Sequence, residues 1–404
     1  MFALSLFLGS AYAILVVAAV GLVLAGLSVW ATWKHLRSTP ARAAHVVPVS
    51  LLKPLKGLED DLEKNLRSFF DQEYSEAFEI VFCASDEHDP ALELARRLAR
   101  EYPAVPTRFV LTDEHFGLNP KVANLAGALA AVRYDLVHQS DANTRVPPDY
   151  LQKIVAELLA SDASMLSSVV VGVGEERLGA ALENLQLSAF IGPATCTALR
   201  VADITCVCGK SMLFYKSELE EEFGGLASVK DVLCEDFVLG ERYKNAGKRV
   251  LLSPTPVANI NRDCGMERFL ERHGRWLKMR ATLHLPGFVA DLATNPIALA
   301  LLAVLVSGFD SGVSVLALAV VPLKMLSDQL LLRLTRRPMA GRYLFLTPLK
   351  DLLLLPLWLT AVFSRTVVWR GRRLRFGKNT QLIPLGEPAL APAAEAYEEP
   401  IAAE

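Results

Sequence analysis

From Ala11 to Trp33 the chain carries no charged side chain. A run of this kind has few stable homes. As a helix it matches the ~30 Å hydrocarbon core of a bilayer. Inside lipid, only a helix or a closed barrel satisfies its own backbone polar groups. A secretory leader would open with a basic segment. The start, MFALSLFLGS, holds no Lys or Arg, so 11–33 reads as an uncleaved anchor behind a short segment, 1–10. Lys34, His35 and Arg37 follow it. The positive-inside rule then places the next domain on the cytoplasmic side. Cys83, Cys196, Cys206, Cys208, Cys234 and Cys264 all fall in that domain, and a cytoplasmic setting predicts reduced thiols. Cys206 and Cys208 form a C-x-C without a second pair at zinc spacing, and read as alternating positions of a buried strand.

Short apolar runs alternate with amphipathic stretches from Val47 to about Leu252. The strand candidates are 47–55, 78–85, 107–113, 135–141, 164–172 and 205–215. Helical patterns such as LEDDLEKNLRSFF, ALELARRLAREY and KVANLAGALAAV lie between them. The alternation predicts an α/β domain, about 45–262, with a mostly parallel sheet covered on both faces. Ligands of such sheets bind beyond the carboxyl ends of the strands. The apolar helical stretch from Leu178 to Arg200 suits either a cover for the sheet or a membrane contact.

Beyond an interfacial helix at 263–284 the chain becomes membrane-like again. Hydrophobic residues make up 52% of the sequence and mean hydropathy is +0.30, too apolar for an ordinary soluble protein. Segments 285–309, 312–332 and 343–363, within a region 285–365, are apolar enough to meet a bilayer. Lys324 and Asp328 interrupt the second and face each other across one helical turn. They line an acceptor pocket, or belong to a helix that is partly interfacial, or pair internally. A third crossing would carry the basic run WRGRRLRFGK away from the catalytic side, against the charge rule. Either that segment is interfacial or re-entrant, or the rule fails here. In 366–404 this basic stretch gives way, after Leu385, to a Pro/Ala/Glu-rich tail that reads as disordered. The net charge of −2 gives no footprint for nucleic acid.

The chemistry-bearing residues sit at strand ends and helix starts. Asp86 follows a strand in CASDEHDP, where a carboxylate can meet a nucleotide's uracil or ribose. Asp89-Pro90 suits the helix cap, which frees Asp86. Asp141 and Asn143, in SDAN, offer two oxygens that could hold a divalent cation against a diphosphate, or simply form a turn. Lys121 and Asn124 occur in GLNPKVANL, near a helix start that favours an anion; Lys121 is equally a surface lysine. Glu235 and Asp236 begin a helix in CEDF. A carboxylate there can take a proton from an attacking hydroxyl, or can cap. In RHGRW, Arg272 and Arg275 share a helix face and suit a phosphate. Trp276 suits an interface or a sugar ring, although a plain basic anchor fits this stretch too.

LLKPLKG, the aspartate after CAS, GLNPKVANL, SDANTRV, CEDF and RHGRW stand in order from about Val47 to Arg280. Together they resemble the ceramide glucosyltransferases, glycosyltransferase family 21. The resemblance implies a GT-A fold, an inverting mechanism, UDP-glucose as donor, a divalent metal (Mg or Mn) and the primary hydroxyl of ceramide as acceptor. By carry-over Asp236 is the catalytic base, and Glu235 and Trp276 meet the acceptor. Asp86, Lys121, Asn124, Asp141, Arg272, Arg275 and Trp276 meet the nucleotide sugar, and Asp141 and Asn143 the metal. It further implies a bacterial cytoplasmic membrane with the catalytic domain facing inward. SAFIGPATCTALR departs from the animal members, which carry a His-Pro pair near there, so a hopanoid lipid stands beside ceramide as acceptor. A processive polysaccharide synthase fits less well, because Arg272 replaces the Gln of Q-x-x-R-W and few spans remain for an export channel. A non-catalytic binding protein would not be expected to keep the whole acidic set.

Overall fold

The computed structural model describes residues 2–112, 116–335, 339, 343, 345–369 and 372–386. The acidic tail, Asp113 and most of the basic loop RLTRRPMAGR lie outside the described residues. Helix α1 (Phe2–Leu36) leads into the catalytic unit. There follow β1 (Val49–Pro54), α2 (Leu62–Phe70), β2 (Phe78–Ala84), α3 (Pro90–Glu101), β3 (Thr107–Leu111), α4 (Pro120–Ala130), β4 (Leu136–Gln139) and β5 (Thr144–Arg145). Next come α5 (Tyr150–Ala160), β6 (Met165–Val173), α6 (Leu178–Gln186), α7 (Gly192–Ala202), β7 (Met212–Tyr215), α8 (Lys216–Phe223), α9 (Glu235–Asn245) and β8 (Val250–Ile260).

Among the described residues, eight strands form one sheet in the order β3-β2-β1-β4-β7-β6-β8-β5. β3, β2, β1 and β4 run parallel. β7 is antiparallel to both of its neighbours. Alternation along the inner strands feeds two cores. Leu51, Ile80 and Phe82 face α2, α3 and α5. Leu52, Val81 and Cys83 face α4, α8 and α9. Burial of both faces is why these strands read as nearly continuous apolar runs. Each such side chain contributes about 1.5–3 kcal/mol by leaving water.

Two expectations change. The strand foreseen at 205–215 begins only at Met212, and Cys206 and Cys208 lie in an irregular segment closed by a single bridge from Cys208 to Ser211. Conversely, Val250–Ile260 is an 11-residue strand. Pro254 and Pro256 hid it, since proline removes ladder donors and argues against a central strand. The register between β6 and β8 is irregular next to these prolines.

The stretch 178–200 does both jobs foreseen for it. A π-helical turn, Leu187–Ile191, joins α6 to α7. Ser188 donates to and accepts from Gly172 of the sheet, while Thr197 donates to Ser28 of α1. After β8 come α10 (Met266–Leu283), α11 (Leu285–Ala290), α12 (Pro296–Val306), α13 (Ser311–Leu334) and α14 (Leu346–Phe363). Among the described residues α1, α13 and α14 are long and apolar enough to cross a membrane. α12 and α13 pack on α1 through Ala11, Ala300, Ala303 and Ala317, small residues of the kind that let membrane helices approach closely.

α14 has both ends on the catalytic unit. Its first turn packs against Ala180, Leu182 and Phe269. Just beyond its end, Thr366 O accepts a hydrogen bond from Lys278 Nζ at 2.8 Å. The basic run that follows forms an antiparallel ribbon, β9 (Thr366–Trp369), β10 (Arg372–Phe376) and β11 (Leu382–Pro384). Val367, Leu374, Phe376 and Leu382 pack with Leu233, just ahead of α9. The ribbon therefore packs on the sheet domain beside the start of α9.

Candidate active site

β1 leads on one side to β2 and β3, while β4 lies on the other. A crevice outside the carboxyl ends at such a reversal is the binding site of open α/β sheets. Lys53, at the end of β1, is completely buried. Its ammonium donates to Asp141 O at 2.8 Å and to Ser140 Oγ at 3.4 Å, over the Phe69 ring. Burial pushes its pKa down to about 7, against the pull of Asp141.

Asp141 follows β4. Lys121 Nζ lies 3.0 Å from its Oδ1 and Lys210 Nζ 3.0 Å from its Oδ2. Burial opposes its charge, but the two ammoniums win and hold the carboxyl well below the usual carboxylate range. Lys121 is delivered by the first turn of α4, where Asn119 caps the amides of Lys121 and Val122 and Pro120 fixes the entry. Lys210 arrives on the turn Cys208–Ser211. Ser167 pins that turn by accepting from Cys208 N and donating to Ser211 O. Beneath it, Ser211 Oγ meets Tyr150 OH at 2.5 Å and His138 Nε2 at 3.0 Å. Burial and the Lys53 charge lower the His138 pKa to about 3, so this support is neutral.

The same turn reaches the helix-start carboxylates. Gly209 N donates to Asp236 Oδ2 at 2.6 Å, and Phe237 N to Asp236 Oδ1 at 2.8 Å. The Cys234 thiol lies 3.4 Å from Asp236 Oδ1. A Cβ on Gly209 would come within 2.5 Å of Lys121 Nζ and 3.1 Å of Asp236 Oδ2, so only glycine fits between them undisturbed. Glu235 is buried, with Oε1 3.0 Å from Lys121 Nζ and Oε2 accepting from Asn119 Nδ2 at 3.2 Å. Burial raises its pKa, opposed by Lys121 and reinforced by Asp236. Burial works against the Lys121 charge, yet Asp141, Glu235 and Asp236 together raise its pKa. One ammonium thus ties a strand-end carboxylate, Asp141, to a helix-start carboxylate, Glu235.

The remaining sequence candidates make other contacts. Asp86 is exposed beyond β2, its Oδ1 accepting from His88 N at 2.9 Å. Asp89, as anticipated, caps α3, and both its oxygens also accept from Gly57 N. Asn124 Oδ1 accepts from the Thr112 hydroxyl at 2.6 Å, bracing α4 against the segment after β3. Arg272 pairs with buried Glu183 of α6. Burial, then Arg272, lower the pKa of Arg275. Trp276 packs edge-on against His273 with 4.8 Å between ring centroids. Glu59 links the two groups: burial raises its pKa, and Lys210, Asp141, Arg268 and Arg272 all act on it. Lys53, Glu59, Gly209 and Lys210 were not singled out from sequence. A lysine inside the apolar run of LLKPL is a readable signal, whereas the CGKS turn was hidden by its reading as strand.

The geometry also tests a metal. Among the described residues no three His, Cys, Asp or Glu side chains form a metal cluster. Yet Asp141 Oδ2 and Asn143 Oδ1 converge on one cationic point, the Lys210 ammonium, at 3.0 and 2.5 Å. Two oxygens aimed at one cation fit a divalent ion whose other ligands are phosphate and water, the usual arrangement for Mg²⁺.

Comparison with known proteins agrees with this architecture. Ceramide glucosyltransferase 1 of Caenorhabditis elegans is 26% identical, over 83% of this chain and 75% of that protein. The ceramide glucosyltransferase of Komagataella phaffii is 28% identical, over 64% of this chain and 62% of that protein. Among solved structures, the mannosyltransferase PcManGT from Pyrobaculum calidifontis, in complex with GDP-Man and Mn2+, superposes with a TM-score of 0.52 at 17% identity. The superposition covers 88% of this chain and 99% of that one, and shows the shared GT-A-like fold. The model of "Glycosyl transferase family 21" matches residues 13–382. That range takes in the first apolar helix, the lysine–carboxylate cluster and the ribbon together, and the chain belongs to glycosyl transferase family 21.

Proposed function

We propose that this membrane glycosyltransferase moves glucose from UDP-glucose to the primary hydroxyl of ceramide, with inversion at the anomeric carbon. The observation that carries the reading is Lys121 pairing with Asp141 and Glu235 beyond the strand ends, while Gly209, beside Lys210, donates its amide to Asp236. The donor diphosphate lies against Lys121 and Lys210, which exchange Asp141 for phosphate oxygens. Asp86 meets the nucleotide. When bound, a divalent cation on Asp141 and Asn143 supplies Lewis-acid neutralisation of the diphosphate. Asp236, held by the Gly209 and Phe237 amides, faces the sugar and takes the acceptor proton as the hydroxyl oxygen bonds to the anomeric carbon. The bond from that carbon to the diphosphate oxygen breaks, and UDP leaves with the electron pair. Arg272 and Arg275 lie on the membrane-proximal side, where Arg275 stabilises the departing UDP, while Glu235 and Trp276 meet the acceptor. The catalytic unit faces the cytoplasm of a bacterial inner membrane, with α14 lying along the interface.

SAFIGPATCTALR, in the π-helical turn and α7, lacks the His-Pro pair of the animal pattern, which keeps a second acceptor, a hopanoid, in view. The test is purified full-length protein in lipid nanodiscs, given a panel of UDP-sugars with ceramide or hopanoid, and products read by mass spectrometry. A β-hexosylceramide from UDP-glucose is the expected product. A hopanoid glycoside alone would replace the acceptor, and absence of any lipid product would overturn the function.

A further inference from the structure

The far end of the chain reaches the carboxylate-bearing helix. Thr380 sits between β10 and β11 and is completely buried. Its hydroxyl accepts from Cys234 N at 3.1 Å, and its carbonyl accepts from Leu233 N at 3.1 Å. Leu382 N donates to Asp231 O at 2.7 Å, and Val232 bridges to Gln381. Asp231 through Cys234 are therefore all tied to the ribbon, and α9 begins at the next residue with Glu235 and Asp236. Two of these four residues also hold the entry to α4. Asp231 Oδ1 accepts from Leu118 N at 2.8 Å, and Val232 O from Asn119 Nδ2 at 2.7 Å.

The backbone here is strained. Asn379 and Thr380 have φ of 53° and 57°. For a β-branched residue this left-handed region is an outlier, and such conformations persist only when their surroundings over-determine them. Glycine would adopt it freely. What glycine lacks is the hydroxyl that meets the Cys234 amide, at the helix end where backbone donors are otherwise orphaned.

We propose that Thr380 is a positioning residue for Asp236, and that the ribbon behind the membrane helices fixes the geometry of the transfer site. It acts through the amides of Leu233 and Cys234, which set where α9 starts and where the Asp236 carboxylate meets Gly209. This rests on Asp236 being the base.

The test compares full-length Thr380→Ser, Thr380→Gly and Asp236→Asn in nanodiscs for kcat, donor KM and unfolding midpoint. Thr380→Ser keeps the hydroxyl and should keep kcat. Thr380→Gly relieves the backbone and removes the hydroxyl. Its midpoint should hold or rise while kcat falls at least about tenfold and donor KM changes little. Wild-type kcat in Thr380→Gly overturns the proposal. So does a fall no larger than the loss of folded protein, or an equal fall in Thr380→Ser. If Asp236→Asn loses transfer while Thr380→Gly keeps it, the base stands and the positioning role alone fails. If Asp236→Asn keeps transfer, the base assignment falls and this proposal with it.

Discussion

Two of the lysine–carboxylate groups among the described residues differ in their access to solvent. In the cleft, Lys121 and Lys210 pair with Asp141, and their side chains stay 23–24% exposed. In the membrane helices, Lys324 and Lys350 pair with Asp328 at 0–6% exposure, and Thr347 donates to Asp328 Oδ2 at 3.0 Å. Lys350 also lies 3.6 Å from Asp351. Chemistry is shared; access is not. Under the proposed function the open group would trade a carboxylate for phosphate. The sealed group has no such exchange and ties α13 to α14, so the internally paired alternative is the one the helices adopt.

The contrast can be broken by substitution. Asp141→Asn should reduce kcat/KM for the donor by roughly 100- to 1,000-fold while the protein stays folded; steady-state kinetics beside a thermal melt reads both. Asp328→Asn should do the reverse. Removing one partner of a buried pair costs about 3–5 kcal/mol, so the unfolding midpoint should fall sharply while turnover per folded molecule is retained. If the two variants behave alike, the distinction between the groups is wrong.

Gly209→Ala sharpens the cleft side. The added Cβ must displace the Lys121 ammonium and press on Asp236, and a loss of about tenfold in kcat is expected. The smallest effect is in pH. Lys53 has its folded pKa lowered to about 7, so between pH 7 and the ordinary lysine range the unfolded chain binds more protons. Stability from this site therefore rises with pH across that window, by at most about 1.4 kcal/mol per unit. Its penalty is fully present below pH 7. Lys53→Met should flatten that rise in melts taken at pH 7 and pH 9; an unchanged slope would show that Lys53 is not the source.

Strand ends and helix starts were readable because their signals are local. Asp89-Pro90 and Asn119-Pro120 announce caps, and the apolar runs at 78–85 and 135–141 announce covered strands. Asp141 and the pair Glu235–Asp236 stood out by position, while the choice of Asp236 came from the family resemblance. What joins them did not stand out. Gly209 and Lys210 act through a turn whose flanks look like strand, and the contacts of Lys121 span more than one element. The ribbon was the hardest part to foresee. WRGRRLRFGK is a basic juxtamembrane stretch by composition, and only its hydrophobic partners at Leu233 and Leu118 reveal that it folds back on the catalytic unit. α14 suits a crossing by length and hydropathy, and the contacts of its ends with α6 and α10 could not be read from composition.

The most direct test of the account is Asp236→Asn, with UDP-glucose binding and transfer to lipid measured on one nanodisc preparation. Binding should stay within about twofold of wild type while transfer falls at least about 100-fold. Transfer at the wild-type rate would contradict the assignment of the proton acceptor and the cleft built around it.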